Sequence, residues 1–227
     1  MNDEGPEAAD VFAQLAVELH EEGGVDETVE AVLQFALQAV SCKSAGVLLV
    51  QLDGRLETLA ATDDLVEQCD RLQIETGTGP ARETMDEDTV LIADTAADER
   101  WPVWSAKTAA LGLGSLLCVR LHAGGITLGV LQLFAAEPDT FDADDDAVAH
   151  ILARHASVAL ASARQEESLW QAIDARKLIG QAQGILMERF GIDDGLAFTV
   201  LRRYSQDYNL KLRDVAQRLI DTRRLPD

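Results

Sequence analysis

The sequence predicts two units of different class: an α+β domain with an antiparallel sheet flanked by helices, then an all-α three-helix bundle. A long helix joins them. Three observations predict this. Two pairs of short apolar runs are each split by turn-forming residues, Asp53-Gly54 in one and His122-Ala123-Gly124-Gly125 in the other, which is hairpin patterning. From 142 to 189 no proline interrupts a helical pattern, and Gly180 and Gly184 are only weak breakers. The end of that helix and two short stretches after it are amphipathic at helical spacing. At 227 residues the chain buries a sizeable core, and with aromatics at 5% that core is aliphatic and alanine-rich.

Each element has its own warrant. Residues 1–9 form an acidic leader expected to fray. Val11, Phe12, Leu15 and Leu19 recur as one helix face, and Val29, Val32, Leu33, Ala36 and Val40 as another, with Gly23-Gly24 between them. Residues 45–52 form a buried strand, and Leu56–Ala61 returns from the Asp53-Gly54 turn. Residues 75–114 read as a long irregular stretch, holding Gly77-Thr78-Gly79-Pro80, a brief apolar piece at Val90-Leu91-Ile92, and Trp101-Pro102-Val103-Trp104. Residues 115–121 and 128–134 are the strands of the second hairpin. The α+β domain thus spans 10–165.

Asp144, Asp145 and Asp146 open the long helix, where acids favour the positive end of the helix dipole. Ile151, His155, Val158, Ser162, Leu169 and Ile173 lie near heptad positions around a polar middle at 164–168. Residues 142–177 are therefore expected to connect the units and to pair with a second copy as a coiled coil. The bundle takes its core from Leu178, Ala182, Ile185, Leu186 and Phe190, then Ala197, Leu201, Tyr204 and Tyr208, then Leu212, Val215, Ala216, Leu219 and Ile220. Gly191-Ile192-Asp193-Asp194 and Asn209 separate the three helices.

The formal charge of −21 argues against nucleic acid or an anionic membrane surface as partner of the whole chain. The charge is uneven. Residues 1–169 hold 9 Lys+Arg against 32 Asp+Glu, whereas 170–227 hold 10 against 8. An anionic partner for the tail thus stays open, and the acidic body is expected to mask the tail until a signal arrives. No apolar run reaches membrane-spanning length, and the acidic N-terminus lacks a basic signal region, so a cytoplasmic protein without membrane contact is expected. Cys42, Cys69 and Cys118 fit free thiols.

Nothing points to an enzyme, a cofactor or a metal. Histidines 20, 122, 150 and 155 are scattered, and the glycines at 77–80 lack the lysine of a phosphate-binding loop. The acidic runs at 86–88 and 144–146 read as solvated faces and helix caps.

The tail is richer. Arg202, Arg203, Lys211, Arg213 and Arg218 flank its two short helices, with Gln183, Ser205, Gln206 and Asn209 as polar donors. Arg203 lies two positions past core Leu201 and so points outward. Gly184 allows a close approach to the first helix. On residues alone, a merely solvated basic face explains these features better than a nucleic-acid interface does, since a net of +2 is weak for a nucleic-acid binder.

The run Arg176-Lys177-Leu178-Ile179-Gly180-Gln181-Ala182-Gln183-Gly184-Ile185-Leu186-Met187-Glu188-Arg189-Phe190-Gly191 resembles the start of an ANTAR domain, the RNA-binding module of antiterminators. Ala197-Phe198, Leu201 to Gln206 and Lys211 to Ala216 continue the resemblance in register, over about residues 168–225. One departure is Gln183, where the family often has lysine, so a charge is given up. Residues 10–165 resemble a GAF sensor domain in element order, in Leu-Gly-Val-Leu-Gln-Leu-Phe at 128–134, and in Phe141-Asp142 before the last helix.

The resemblance implies an antitermination regulator that binds paired RNA hairpin loops as a homodimer, controlled by an unknown small-molecule signal at the GAF domain. The expected RNA-facing set is Gln183, Gly184, Arg189, Arg202, Arg203, Ser205, Asn209, Lys211 and Arg213. Trp101 and Trp104 are the expected pocket residues, with core packing the equal alternative. The competing function is a dimeric protein–protein or small-molecule-sensing adaptor without RNA binding.

Overall fold

The computed structural model describes residues 25–51 and 53–224. The leader, the helix expected around Val11, Phe12, Leu15 and Leu19, and the strand end at Leu52 lie outside the described residues. The chain divides into two units, Met1–Ala163 and Arg164–Asp227.

In the first unit, α1 (Val25–Ala39) leads into β1 (Ser44–Val50) and β2 (Leu56–Ala61). Next come α2 (Asp64–Thr76), α3 (Pro80–Asp86), β3 (Thr89–Ile92) and α4 (Pro102–Ala110). The hairpin β4 (Ser115–Ala123) and β5 (Ile126–Ala135) precedes α5 (Ala143–Phe190). The strands form one sheet in the order β2-β1-β5-β4-β3, antiparallel throughout.

Both sheet faces are covered, which explains why β4 and β5 are apolar at consecutive positions. Leu117, Val119 and Leu121 meet Val29, Val32 and Ala36 of α1 and Leu152 and Ala156 of α5. Their neighbours Leu116 and Cys118 point the other way, onto Val66 and Cys69 of α2, Ala81 of α3 and Trp104 of α4. The β4–β5 turn is shorter than the four residues expected. Ala123 pairs with Ile126, so Gly124 and Gly125 alone make it, at φ 58° and 80°, as a two-residue turn of positive φ requires. A Cβ at Gly129 would collide with the Leu48 carbonyl of β1, so close strand approach requires glycine there.

The stretch 75–114 is not irregular. Pro80 and Pro102 each occupy the first turn of a short helix, where proline's fixed φ and missing N–H cost nothing. These helices span 7 and 9 residues, too few to display a helical period. Of the turn expected at Gly77-Thr78-Gly79-Pro80, residues 77–79 stand between α2 and α3 and Pro80 opens α3. Helix α2 has no counterpart in the apolar pattern because its buried face includes Asp70 and Gln73 beside Val66 and Cys69. Asp63 caps it, accepting from the Leu65 and Val66 amides at 2.9 and 3.2 Å.

Helix α5 starts on a reciprocal cap. Asp142 Oδ1 accepts the Asp144 and Asp145 amides at 2.8 and 3.0 Å, and the Asp142 amide donates to Asp145 Oδ2 at 3.2 Å. Asp145 is buried, not solvated, because its other oxygen accepts the Ser41 amide at 2.9 Å.

The second unit holds the end of α5, α6 (Asp194–Asp207) and α7 (Leu212–Thr222). Its core is Ala182, Leu186, Ala197, Leu201, Val215, Ala216 and Leu219. Leu178, Ile185, Tyr204, Leu212 and Ile220 pack against it partly buried, and the other two expected core residues, Phe190 and Tyr208, are in neither group. Phe190 is 59% exposed at the end of α5, with the Arg189 guanidinium 5.4 Å from the centre of its ring. Tyr208 is 45% exposed, at the cap of α6 just before the chain turns through Asn209 at φ 50°. Among the described residues no helix is long and apolar enough to cross a membrane.

Candidate nucleic-acid interface

The second unit's outward polar residues divide by what their atoms already hold. Arg202 and Lys211 are exposed, with no side-chain hydrogen bond or ion pair among the described residues. Arg203 Nε lies 3.5 Å from Asp207 Oδ2, and Arg213 Nε lies 3.3 Å from Asp214 Oδ1. Exposed pairs of this kind are worth about 0–1 kcal/mol, so either guanidinium can leave its partner for a phosphate. Gly184 is exposed, and a Cβ there meets nothing, so packing within the unit does not demand glycine.

Four members of the expected RNA-facing set are engaged within the bundle instead. The Gln183 amide nitrogen donates to Asp194 Oδ1 at 2.5 Å and to the Asp194 carbonyl at 3.2 Å, joining α5 to the start of α6. Arg189 Nη1 donates to the Arg223 carbonyl at 2.6 Å, at the C-terminal end of α7 where a cation is favoured. The Ser205 hydroxyl donates to the Leu210 carbonyl at 2.7 Å, closing the α6–α7 turn. Asn209 supplies the left-handed backbone of that same turn. These groups fall among the expected contacts by position, but their donors or backbone hold the fold. From the sequence, Tyr204 and Tyr208 are either stacking platforms or core, and their spacing favours core; Tyr208 is instead exposed. The signal available was a tyrosine directly before a turn-forming asparagine, where an apolar stripe runs past the end of its helix.

In the first unit the two tryptophans pack together, as the core alternative expects. Trp104 is fully buried, and its Nε1 donates to the Cys69 carbonyl at 3.2 Å. Trp101 meets it edge-on at 6.5 Å and carries Arg100 over its ring at 4.6 Å. Trp104 is thus a core residue and Trp101 packs against it, because an indole this large is best used as filling between α2 and α4. A groove of about 380 Å³ does lie between those helices, lined by Gln68, Arg71, Leu72, Glu75, Lys107 and Leu111.

Between the sheet and α2 lies a buried polar chain. Asp70 accepts from Gln132 Nε2 at 2.6 Å and from Thr58 Oγ1 at 2.8 Å. Gln132 Oε1 accepts from Gln73 Nε2 at 3.0 Å, and Gln73 Oε1 accepts the Ala81 amide at 2.8 Å. Burial pushes the Asp70 carboxyl up to about 6, against the lowering effect of the Gln132 and Thr58 hydrogen bonds. Burial also pushes the Cys42 thiol up to about 12 and the Cys69 thiol up to about 11, and raises that of Cys118. Such thiols hold little thiolate near neutrality, which disfavours redox sensing through them.

Residues 22–161 match the family model of the GAF domain, and residues 167–220 match that of the ANTAR domain. No curated protein matches. Among solved structures, the chain is similar to the GAF domain of an Acinetobacter phosphoenolpyruvate-protein phosphotransferase, at 14% identity and a TM-score of 0.59 over 74% of this chain and 99% of that one. The GAF domain of the Coxiella burnetii phosphoenolpyruvate-protein phosphotransferase is 16% identical, with a TM-score of 0.57 over 70% and 96%. Free methionine-R-sulfoxide reductase from Neisseria meningitidis is 17% identical, with a TM-score of 0.56 over 73% and 95%. At such identities the likeness is one of fold.

Proposed function

This chain belongs to the GAF domain family and carries an ANTAR domain after its GAF domain, and on that premise we propose that it is an RNA-binding regulator of transcription antitermination. The observation that carries the reading is the pair Arg202 and Lys211, two exposed cations without partners among the described residues, on a tail that is net positive while the body is strongly negative. The ligand is a transcript with paired hairpins, whose unpaired loop bases offer edges and faces that a duplex hides. The protein works by binding and not by catalysis, in the cytoplasm where transcripts form. By holding the hairpins it prevents a terminator from forming.

The working species is a homodimer. Apolar side chains of α5 stay exposed in each unit, Ile151 and Val158 in the first and Leu169, Trp170 and Ile173 in the second, and a second copy covers them. Two modules on one dimer raise the effective concentration at the second hairpin. A small-molecule signal at the GAF domain shifts the population of dimer arrangements, with the α2–α4 groove as its site.

The test uses the full chain and a two-hairpin RNA, with affinity measured by fluorescence anisotropy over a salt series. Arg202→Ala and Lys211→Ala should each weaken binding and lower the salt slope by about 1, with circular dichroism unchanged. Unchanged affinity in the double variant overturns the reading. One observation favours the adaptor without RNA binding: Gln183, at the position where the resemblance expects a lysine, spends its donor on Asp194.

A further inference from the structure

We propose that Tyr208 is a stacking platform for one unpaired base of a hairpin loop. This rests on the RNA-binding reading above and adds a specific contact to it. Tyr204 and Tyr208 stand one helical turn apart with rings parallel to within 9° and centroids 5.9 Å apart. Tyr204 is half-buried against the bundle core, whereas Tyr208 is 45% exposed. A tyrosine that only filled the core would face inward, as the apolar stripe of α6 predicts.

The corner that carries Tyr208 is rigid. Its amide donates to the Tyr204 carbonyl at 3.1 Å, and the Leu210 amide to the Ser205 carbonyl at 3.0 Å. The Ser205 hydroxyl then closes the turn on the Leu210 carbonyl at 2.7 Å. Tyr204 backs one face of the Tyr208 ring and holds its plane, so a base that stacks on it need not order the ring first. Lys211 follows three residues later, exposed and unpartnered among the described residues, as a cation for the phosphate of the same nucleotide. An aromatic face beside a free cation is the pairing that single-stranded nucleic acid uses, and it tolerates any base.

The test uses the full chain and a two-hairpin RNA carrying 2-aminopurine in the loop. The wild-type protein and Tyr208→Phe should bind alike and quench the probe. Tyr208→Leu and Tyr208→Ala should bind about 10-fold more weakly or worse and lose the quenching, with the salt slope unchanged because no charge is removed. Circular dichroism checks the fold of each variant. Equal binding by Tyr208→Leu and Tyr208→Phe overturns the stack in favour of a simple apolar contact. Wild-type binding and quenching by Tyr208→Ala, while Lys211→Ala weakens, overturns the stack and leaves the RNA reading standing. A wild-type chain that ignores the RNA at every salt concentration overturns both.

Discussion

Replacing Asp70 with asparagine isolates the electrostatic cost of one buried carboxylate. In the folded chain this group titrates at about 6, against an ordinary 3.8, so the folded state holds its proton more tightly than the unfolded chain. Below pH 3.8 the group is neutral in both states, and above about 6 it is charged in both. Stability is therefore greatest below the lower value and is lost as pH rises through the upper one. The gap is worth about 3 kcal/mol, at ~1.4 kcal/mol for each pH unit. Asparagine removes the charge and keeps the partners: its carbonyl accepts from Gln132 Nε2, and its amide donates to Thr58 Oγ1, whose hydroxyl turns to accept. Asp70→Asn should therefore be about 1–3 kcal/mol more stable than wild type at pH 7.5 and nearly equal to it at pH 4. Urea denaturation at both pH values measures this, and the wild-type-minus-variant difference cancels the other acids of a −21 chain. The same difference at both pH values, or a carboxyl carbon of Asp70 that titrates near 4 by NMR, would refute the reasoning.

Two further outcomes follow from the bundle. Among the described residues its fully buried core is seven side chains, so Leu201→Ala, at about 2–5 kcal/mol, should melt this unit while the GAF unit persists, seen by calorimetry as loss or downshift of one transition alone. Gln183→Lys adds a cation that can stay on Asp194 or turn to a phosphate, so RNA binding at low salt should tighten several-fold with a salt slope steeper by about 1; unchanged affinity and slope in anisotropy would place that face away from the RNA.

Local periodicity accounts for the elements whose apolar residues recur close together along the chain. Strand β2 at Leu56–Ala61, the single helix from 143 to 190 and the three apolar stripes of the bundle follow from which neighbours along the chain are apolar and where glycine or proline interrupts them. Tertiary structure alone decided the rest. Asp70 and Gln73 sit on the buried face of α2 because Gln132, 62 and 59 residues away, is brought opposite them. Gln183, Arg189 and Ser205 look like free donors along the chain, yet their acceptors arrive from α6, α7 and the turn before α7. Tyr208 follows the apolar stripe and still faces solvent, because the helix beneath it has ended. Periodicity states which side of an element avoids water. Whether a given polar atom is spent or available depends on partners that only the closed fold supplies.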